Sequence, residues 1–237
     1  GFTAIVDLAG NDRYESSGPG WGAALGGVSV LLDHAGNDTY ESGVFAQGAA
    51  GAGLGALLDL GGDDSYRLRA LGQGLGLAGG TGLLWDRAGN DSYAATGLPD
   101  RFARGGALSF AQGAALGVRT ALAGGIGILR DDAGNDAYAA QMFAQGVGYY
   151  YGLGLLWERA GRDRYAAVRY AQGNGAHLAV GILRDESGDD RYDMTVGVGQ
   201  GMGLDLAVGV LVDLGGDDRY AAPTLAQAAA TANGVGI

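Results

Sequence analysis

Ala179-Val180-Gly181-Ile182-Leu183-Arg184-Asp185, continued by Glu186-Ser187-Gly188-Asp189-Asp190-Arg191-Tyr192, joins a strand to a turn and recurs along the chain. Its first half has a period of two, the signature of a strand. One face carries Ala179, Gly181 and Leu183, and the other carries Val180 and Ile182. Its second half, Asp185 to Asp190, is a turn, because Ser-Gly and Asp-Asp break regular structure. Tyr192 then opens a new strand. The octet Asp-x-(Ala/Gly/Ser)-Gly-x-Asp-x-Tyr begins at Asp7, Asp33, Asp59, Asp86, Asp131, Glu158, Asp185 and Asp213. The intervals are 26, 26, 27, 45, 27, 27 and 28 residues. A fixed period of this size means repeated units, each too small to bury a core alone.

Residues 1–237 therefore read as a single array of about eight units of 26–28 residues, with an insertion at about 94–111. The extra length, about 18 residues, is expected between Tyr93 and Gln112 and includes the polar loop Asp100 to Arg104. Both ends stop inside the repeat, and the chain begins at Gly1, which together predict a segment of a longer array.

The expected fold class is all-β, a β-solenoid resembling a parallel β-helix, in which each repeat is one coil. A closed barrel or toroid of β-hairpins is the alternative. Repeated Gly on one strand face predicts close backbone approach to another layer. The bulky face opposite, such as Val208, Val210 and Val212, predicts a covered or contact surface. The turn glycines Gly10, Gly36, Gly62, Gly89, Gly134, Gly161, Gly188 and Gly216 are expected where φ must be positive.

A second motif precedes each strand: Phe45-Ala46-Gln47-Gly48, Phe110-Ala111-Gln112-Gly113, Phe143-Ala144-Gln145-Gly146 and Tyr170-Ala171-Gln172-Gly173. Its Gln column is expected to form a stacked amide ladder. The Tyr ending each octet is expected to pack in a stack, and Trp85 and Trp157 to be partly exposed.

Of 26 acidic residues, 21 lie inside the eight octets, so charge collects along one edge of the array. One column is Asp7, Asp33, Asp59, Asp86, Asp131, Glu158, Asp185 and Asp213; the other is Asp12, Asp38, Asp64, Asp91, Asp136, Asp163, Asp190 and Asp218. Unit charges about 4.8 Å apart repel by roughly 1 kcal/mol in water and about 3.5 kcal/mol at an effective dielectric of 20. Divalent cations with oxygen ligands would relieve this, and Ca²⁺ tolerates an irregular ligand set better than Mg²⁺. The competing expectation is a purely structural network of Asx turns, with Arg13, Arg164, Arg191 and Arg219 pairing with the columns.

The segments Ala9-Gly10-Asn11-Asp12-Arg13-Tyr14, Ala35-Gly36-Asn37-Asp38-Thr39-Tyr40, Ala88-Gly89-Asn90-Asp91-Ser92-Tyr93 and Ala133-Gly134-Asn135-Asp136-Ala137-Tyr138 resemble the later part of the repeats-in-toxin nonapeptide. The likeness covers about six residues per repeat; the family repeats every nine residues, and its first two Gly are replaced here. The resemblance implies Ca²⁺ between coils of a parallel β-roll and a secreted protein. Its ligand Asp falls on Asp12, Asp38, Asp64, Asp91, Asp136, Asp163, Asp190 and Asp218. The expected metal set is Asp7, Asp12, Asp33, Asp38, Asp59, Asp64, Asp86, Asp91, Asp131, Asp136, Asp185, Asp190, Asp213 and Asp218. The turn from Glu158 to Asp163 carries two Arg and is expected to be the poorest site.

The net charge of −11 disfavours nucleic acid and anionic membrane surfaces, so no nucleic-acid partner is expected. With no Cys, thiolate metal sites and disulfides are excluded. His34 and His177, in different repeats at different positions, are expected on the surface or in strands. The expected function is a non-enzymatic structural or adhesive segment, extracellular or at a bacterial cell surface. Expected partners are further copies, through coil ends or the apolar face, and a carbohydrate or cell-surface molecule. A carbohydrate-active lyase or epimerase on a β-helix is one alternative, with Asp100 to Arg104 as its unmatched cluster. A membrane or assembly barrel is the other.

Overall fold

The structure, a computed structural model, describes residues 1–100 and 106–237. Alternation of outward bulk with inward Gly, Leu and Asp builds the first of three sheets. Its nine parallel strands follow chain order: Phe2–Val6, Ala24–Asp33, Ala50–Asp59, Thr81–Asp86, Ile126–Asp131, Leu153–Glu158, Val180–Asp185, Val208–Asp213 and Val235–Gly236. The turn octets lead into a second parallel sheet in which strands such as Ala137–Ala140, Arg164–Ala171 and Arg191–Gly199 start at the residue before the Tyr, and Leu108–Ala111 and Met142–Ala144 are further members. A third sheet holds five two-residue strands, from Ala115–Leu116 to Ala230–Thr231.

Equivalent residues pair from coil to coil: Tyr138 with Tyr165, Arg191 with Arg219, Asp131 with Asp86. The chain is therefore a parallel β-solenoid of about nine turns. It is not a closed barrel, and with that the membrane or assembly barrel of hairpins falls. Phe2–Val6 and Val235–Gly236 each have one neighbour in the first sheet, so the sheet never returns on itself.

The interior is a Leu column packed on a Tyr column. Leu31, Leu57, Leu84, Leu129, Leu156 and Leu183 are fully buried beside Tyr40, Tyr66, Tyr93, Tyr138, Tyr165 and Tyr192. The rings from Tyr14 to Tyr220 stack with centroids 4.7–5.0 Å apart and planes within 5°. That spacing is the strand spacing, so coil stacking sets the ring stacking. The inward strand glycines have the expected cause: a Cβ at Gly154 would lie 2.0 Å from the Val147 carbonyl oxygen.

Positive φ holds at four of the eight turn glycines, Gly10, Gly36, Gly62 and Gly216, with φ of 148–158°, while Gly89, Gly134, Gly161 and Gly188 lie outside the positive range. Instead, a Cβ at Gly89 would stand 1.6 Å from the Gly62 carbonyl oxygen of the preceding coil, and one at Gly134 1.7 Å from that of Gly89.

The Gln corner is where the backbone departs most from the common regions. Phe143 and Gln145 have φ of 60° and 57°, and Tyr170 and Gln172 51° and 56°. Such left-handed non-Gly residues cost on the order of 1 kcal/mol each and persist only where surroundings hold them. Gln145 supplies the hold: its Nε2 donates to the Tyr138 and Ala166 carbonyls at 3.1 Å. The expected amide-to-amide ladder is thus replaced by bonds to the backbone of two coils, because each amide has only two N–H groups and both are used.

The extra length of the long repeat is split. Tyr93 to Gln112 is 19 positions against 7 for Tyr138 to Gln145, and Gln112 to Ile126 is 14 against 8 for Gln145 to Leu153. The first excursion is closed by an antiparallel bridge from Leu98 to Leu108, the second by one from Val118 to Leu122. Within the Asp100 to Arg104 loop, Arg101 to Arg104 lie outside the described residues.

Candidate metal centres in the aspartate columns

Each octet places its two acids by different bonds. The opening acid ends a strand of the first sheet and faces inward. One oxygen, Oδ1, caps its own turn: Asp59 accepts from the Gly61 amide at 3.2 Å and Asp86 from Ala88 at 3.2 Å. The other oxygen accepts from the preceding coil's tyrosine: Tyr40 to Asp59 at 2.7 Å, Tyr66 to Asp86 at 2.6 Å and Tyr138 to Glu158 at 2.5 Å. Hydrogen bonds thus link the columns of acids and tyrosines along the stack.

The second acid is bonded through Oδ1 alone. Asp64 Oδ1 accepts from the Asp38 amide at 2.5 Å, Asp91 from Asp64 at 2.6 Å and Asp136 from Asp91 at 2.6 Å. In Asp38, Asp64, Asp91, Asp136, Asp163 and Asp190, Oδ2 is buried and has no hydrogen-bond partner among the described residues. An unbonded buried carboxylate oxygen is expensive, about 1–3 kcal/mol and more when charged. Here it recurs in six consecutive turns.

The two columns converge. Asp33, Asp38 and Asp59 each offer an oxygen within 4.8 Å of the others. The same holds for Asp59, Asp64 and Asp86, for Asp86, Asp91 and Asp131, for Asp131, Asp136 and Glu158, and for Asp163, Asp185 and Asp190. Each cluster draws on two successive coils, and all these acids are buried. In the second acids burial pushes the carboxyl up, neighbouring carboxylates add to the rise, and the backbone amide pulls back. Asp38 reaches about 6, Asp190 about 7, Asp91, Asp136 and Asp163 about 8, and Asp64 about 9.

The expected pairing of arginines with the columns is not what the structure shows. Arg13 bonds Glu15 and Glu41, and Arg191 bonds Asp193, all on the outer surface of the second sheet. Arg159 approaches Asp132 and Glu186, outside the clusters, at 3.6 and 3.7 Å. Glu158 and Asp163, omitted from the expected metal set, sit in the clusters like their equivalents. The two Arg of the turn from Glu158 to Asp163, Arg159 and Arg162, are exposed and lie outside the clusters. Asp7, Asp12, Asp213 and Asp218 belong to the end turns and are half-buried.

The donor set fits a hard divalent cation. It is carboxylate oxygen throughout, with no His or Cys, which suits Ca²⁺ or Mg²⁺ over Zn²⁺ or copper. The unbonded oxygens are the positions such an ion would satisfy. One divalent ion per coil would also balance the two carboxylates that each coil contributes.

Of the two histidines, His34 is exposed on a turn, while His177 Nδ1 lies 2.6 Å from Asp205 Oδ2 of the next coil. Arg119, from the second excursion, approaches the same oxygen at 3.9 Å. No family model, no curated protein and no solved structure matches the chain.

Proposed function

We propose that this chain is a non-enzymatic structural segment of an extracellular or cell-surface solenoid, whose buried aspartate columns bind Ca²⁺. The single observation that supports it best is the run of buried, unbonded Oδ2 atoms, each within reach of two further carboxylates. The repeats-in-toxin-like turns point to the same ion and to secretion. Extracellular Ca²⁺ modules work at about 10⁻⁴–10⁻³ M, a range in which weak, repeated sites fill outside the cell.

The structural role is supported by where the polar chemistry lies. Buried acids, tyrosines and glutamines recur once per coil, and each copy bonds its neighbours in the same way. An adhesive role, toward a carbohydrate or cell-surface molecule, belongs to the same proposal.

Equilibrium dialysis or calorimetric titration with Ca²⁺ tests the reading. The expected result is several sites per chain, approaching one per coil, with fewer in the Asp91→Asn variant. A folded protein that takes up no Ca²⁺ at millimolar concentration overturns it.

A further inference from the structure

The outer surface of the first sheet is apolar along nearly its whole length. Inward Gly127, Leu129 and Asp131 are buried, so Ile126, Ile128 and Arg130 point outward. The same alternation holds from coil to coil. The row through Ile128 includes Val30, Leu83, Leu155, Ile182 and Val210. The row through Ile126 includes Leu54, Leu153 and Val180, with Ile126 40% exposed and Leu54 and Leu153 each 37% exposed. Neither row carries a charge. Nine strands at about 4.8 Å make a face roughly 38 Å long, and the two apolar rows, about four residues across, make it roughly 13 Å wide. The apolar area is about 500 Å², and with the charged row beside it the face reaches about 750 Å², close to the roughly 800 Å² each partner gives to a stable interface. Contiguous apolar patches of this order on a protein surface are often contact sites.

The third outward row forms a rim of mixed charge. Arg130 lies between the Trp85 and Trp157 rings, 4.9 and 4.6 Å from their centroids. Asp132 pairs with Arg130 at 2.7 Å, and Glu186 with Arg184 at 3.0 Å. Both signs of charge therefore border the apolar rows along their turn-side edge. A two-fold interface needs a patch complementary to itself, and a rim holding both signs meets that condition. The matching coil repeat of two copies lets their rows interdigitate along the full length, as in face-to-face sheets about 10 Å apart. The net charge of −11 works against an anionic lipid surface.

We infer that the apolar face of the first sheet is a docking surface for a second copy of this chain, forming a sheet-on-sheet dimer. This inference does not rest on cation binding, since the acids face inward and these rows face outward.

Sedimentation equilibrium from about 1 to 100 µM tests it, in chelator and in millimolar Ca²⁺. The expected result is a dimer, weakened at least 100-fold by Ile128→Lys or Ile182→Lys with an unchanged circular dichroism spectrum. Arg69→Glu, on the outer surface of the second sheet, leaves the association intact. A wild-type monomer at 100 µM overturns the inference. So does an association that survives both lysine variants, which would run through the coil ends. Binding to phosphatidylcholine vesicles by a wild-type monomer, lost in Ile128→Lys, would make the face a lipid surface and equally overturn it.

Discussion

At the scale of the residue, Asp64 shows the conflict within the columns. Its Oδ1 holds the Asp38 amide, while its Oδ2 is buried and bare. Without a cation the side chain relieves this by keeping its proton, hence the rise to about 9. Asp64→Asn removes the titration and keeps an oxygen for the Asp38 amide. In chelator at pH 8 the variant is expected to be more stable than the parent by on the order of 2 kcal/mol; in millimolar Ca²⁺ it is expected to be less stable. Urea unfolding in both buffers checks the reversal of sign. Gln145 is the second case. Gln145→Ala leaves the Tyr138 and Ala166 carbonyls without their donor, for a loss of about 2–4 kcal/mol, measurable in the same titration. The acids were legible in the sequence because an octet with two fixed carboxylates announces two columns. The Gln corner was not, because left-handed φ at Phe143 and Gln145 leaves no trace in residue type. Glu158 and Asp163 were legible as column members but left out of the metal set, because charge counted along the chain does not say which way Arg159 and Arg162 point.

At the scale of the element, the strand reading held because inward Gly and Leu alternate with outward Val and Ile. Close approach is what the inward Gly provides. Gly154→Ala would drive a methyl to 2.0 Å from the Val147 carbonyl oxygen, and the expected cost is about 3 kcal/mol. The matched substitution Leu155→Ala, on the outer face of the same strand, is expected to cost less than half of that, and thermal melts of the two compare them directly. The third sheet escaped the sequence reading altogether: strands of two residues, such as Gly175–Ala176, are too short to display a period. Positive φ accounts for Gly10, Gly36, Gly62 and Gly216 but not for Gly89, Gly134, Gly161 and Gly188, where the crowded carbonyl of the neighbouring coil, a tertiary fact, makes glycine necessary.

At the scale of the whole molecule, each coil touches mainly its neighbours, so stability is close to a sum over coils and their interfaces. Removing residues 159–185, one 27-residue period from Glu158 to Asp185, would join Glu158 to Glu186 in register. The shortened chain is expected to fold, with the same far-ultraviolet spectrum per residue and about one fewer bound cation. The period gave away the solenoid; it could not show that the long repeat divides its excess between two loops, because spacing fixes the total and not its placement.

The acid columns also set the pH dependence of the whole array. Native carboxyls raised to about 6–9 bind protons that the unfolded chain, titrating near 4, has already released. The cation-free protein therefore holds its stability below about pH 4 and loses it as pH rises through 6–9. Bound Ca²⁺ replaces those protons and removes the loss. The most direct measurement is the thermal melt followed by circular dichroism at pH 5 and pH 8, in EDTA and in millimolar Ca²⁺ or Mg²⁺. The expected midpoint in EDTA is lower at pH 8 than at pH 5, and the expected Ca²⁺-selective rise is larger at pH 8. Melts at pH 8 that superimpose with and without Ca²⁺ would contradict cation binding in the columns.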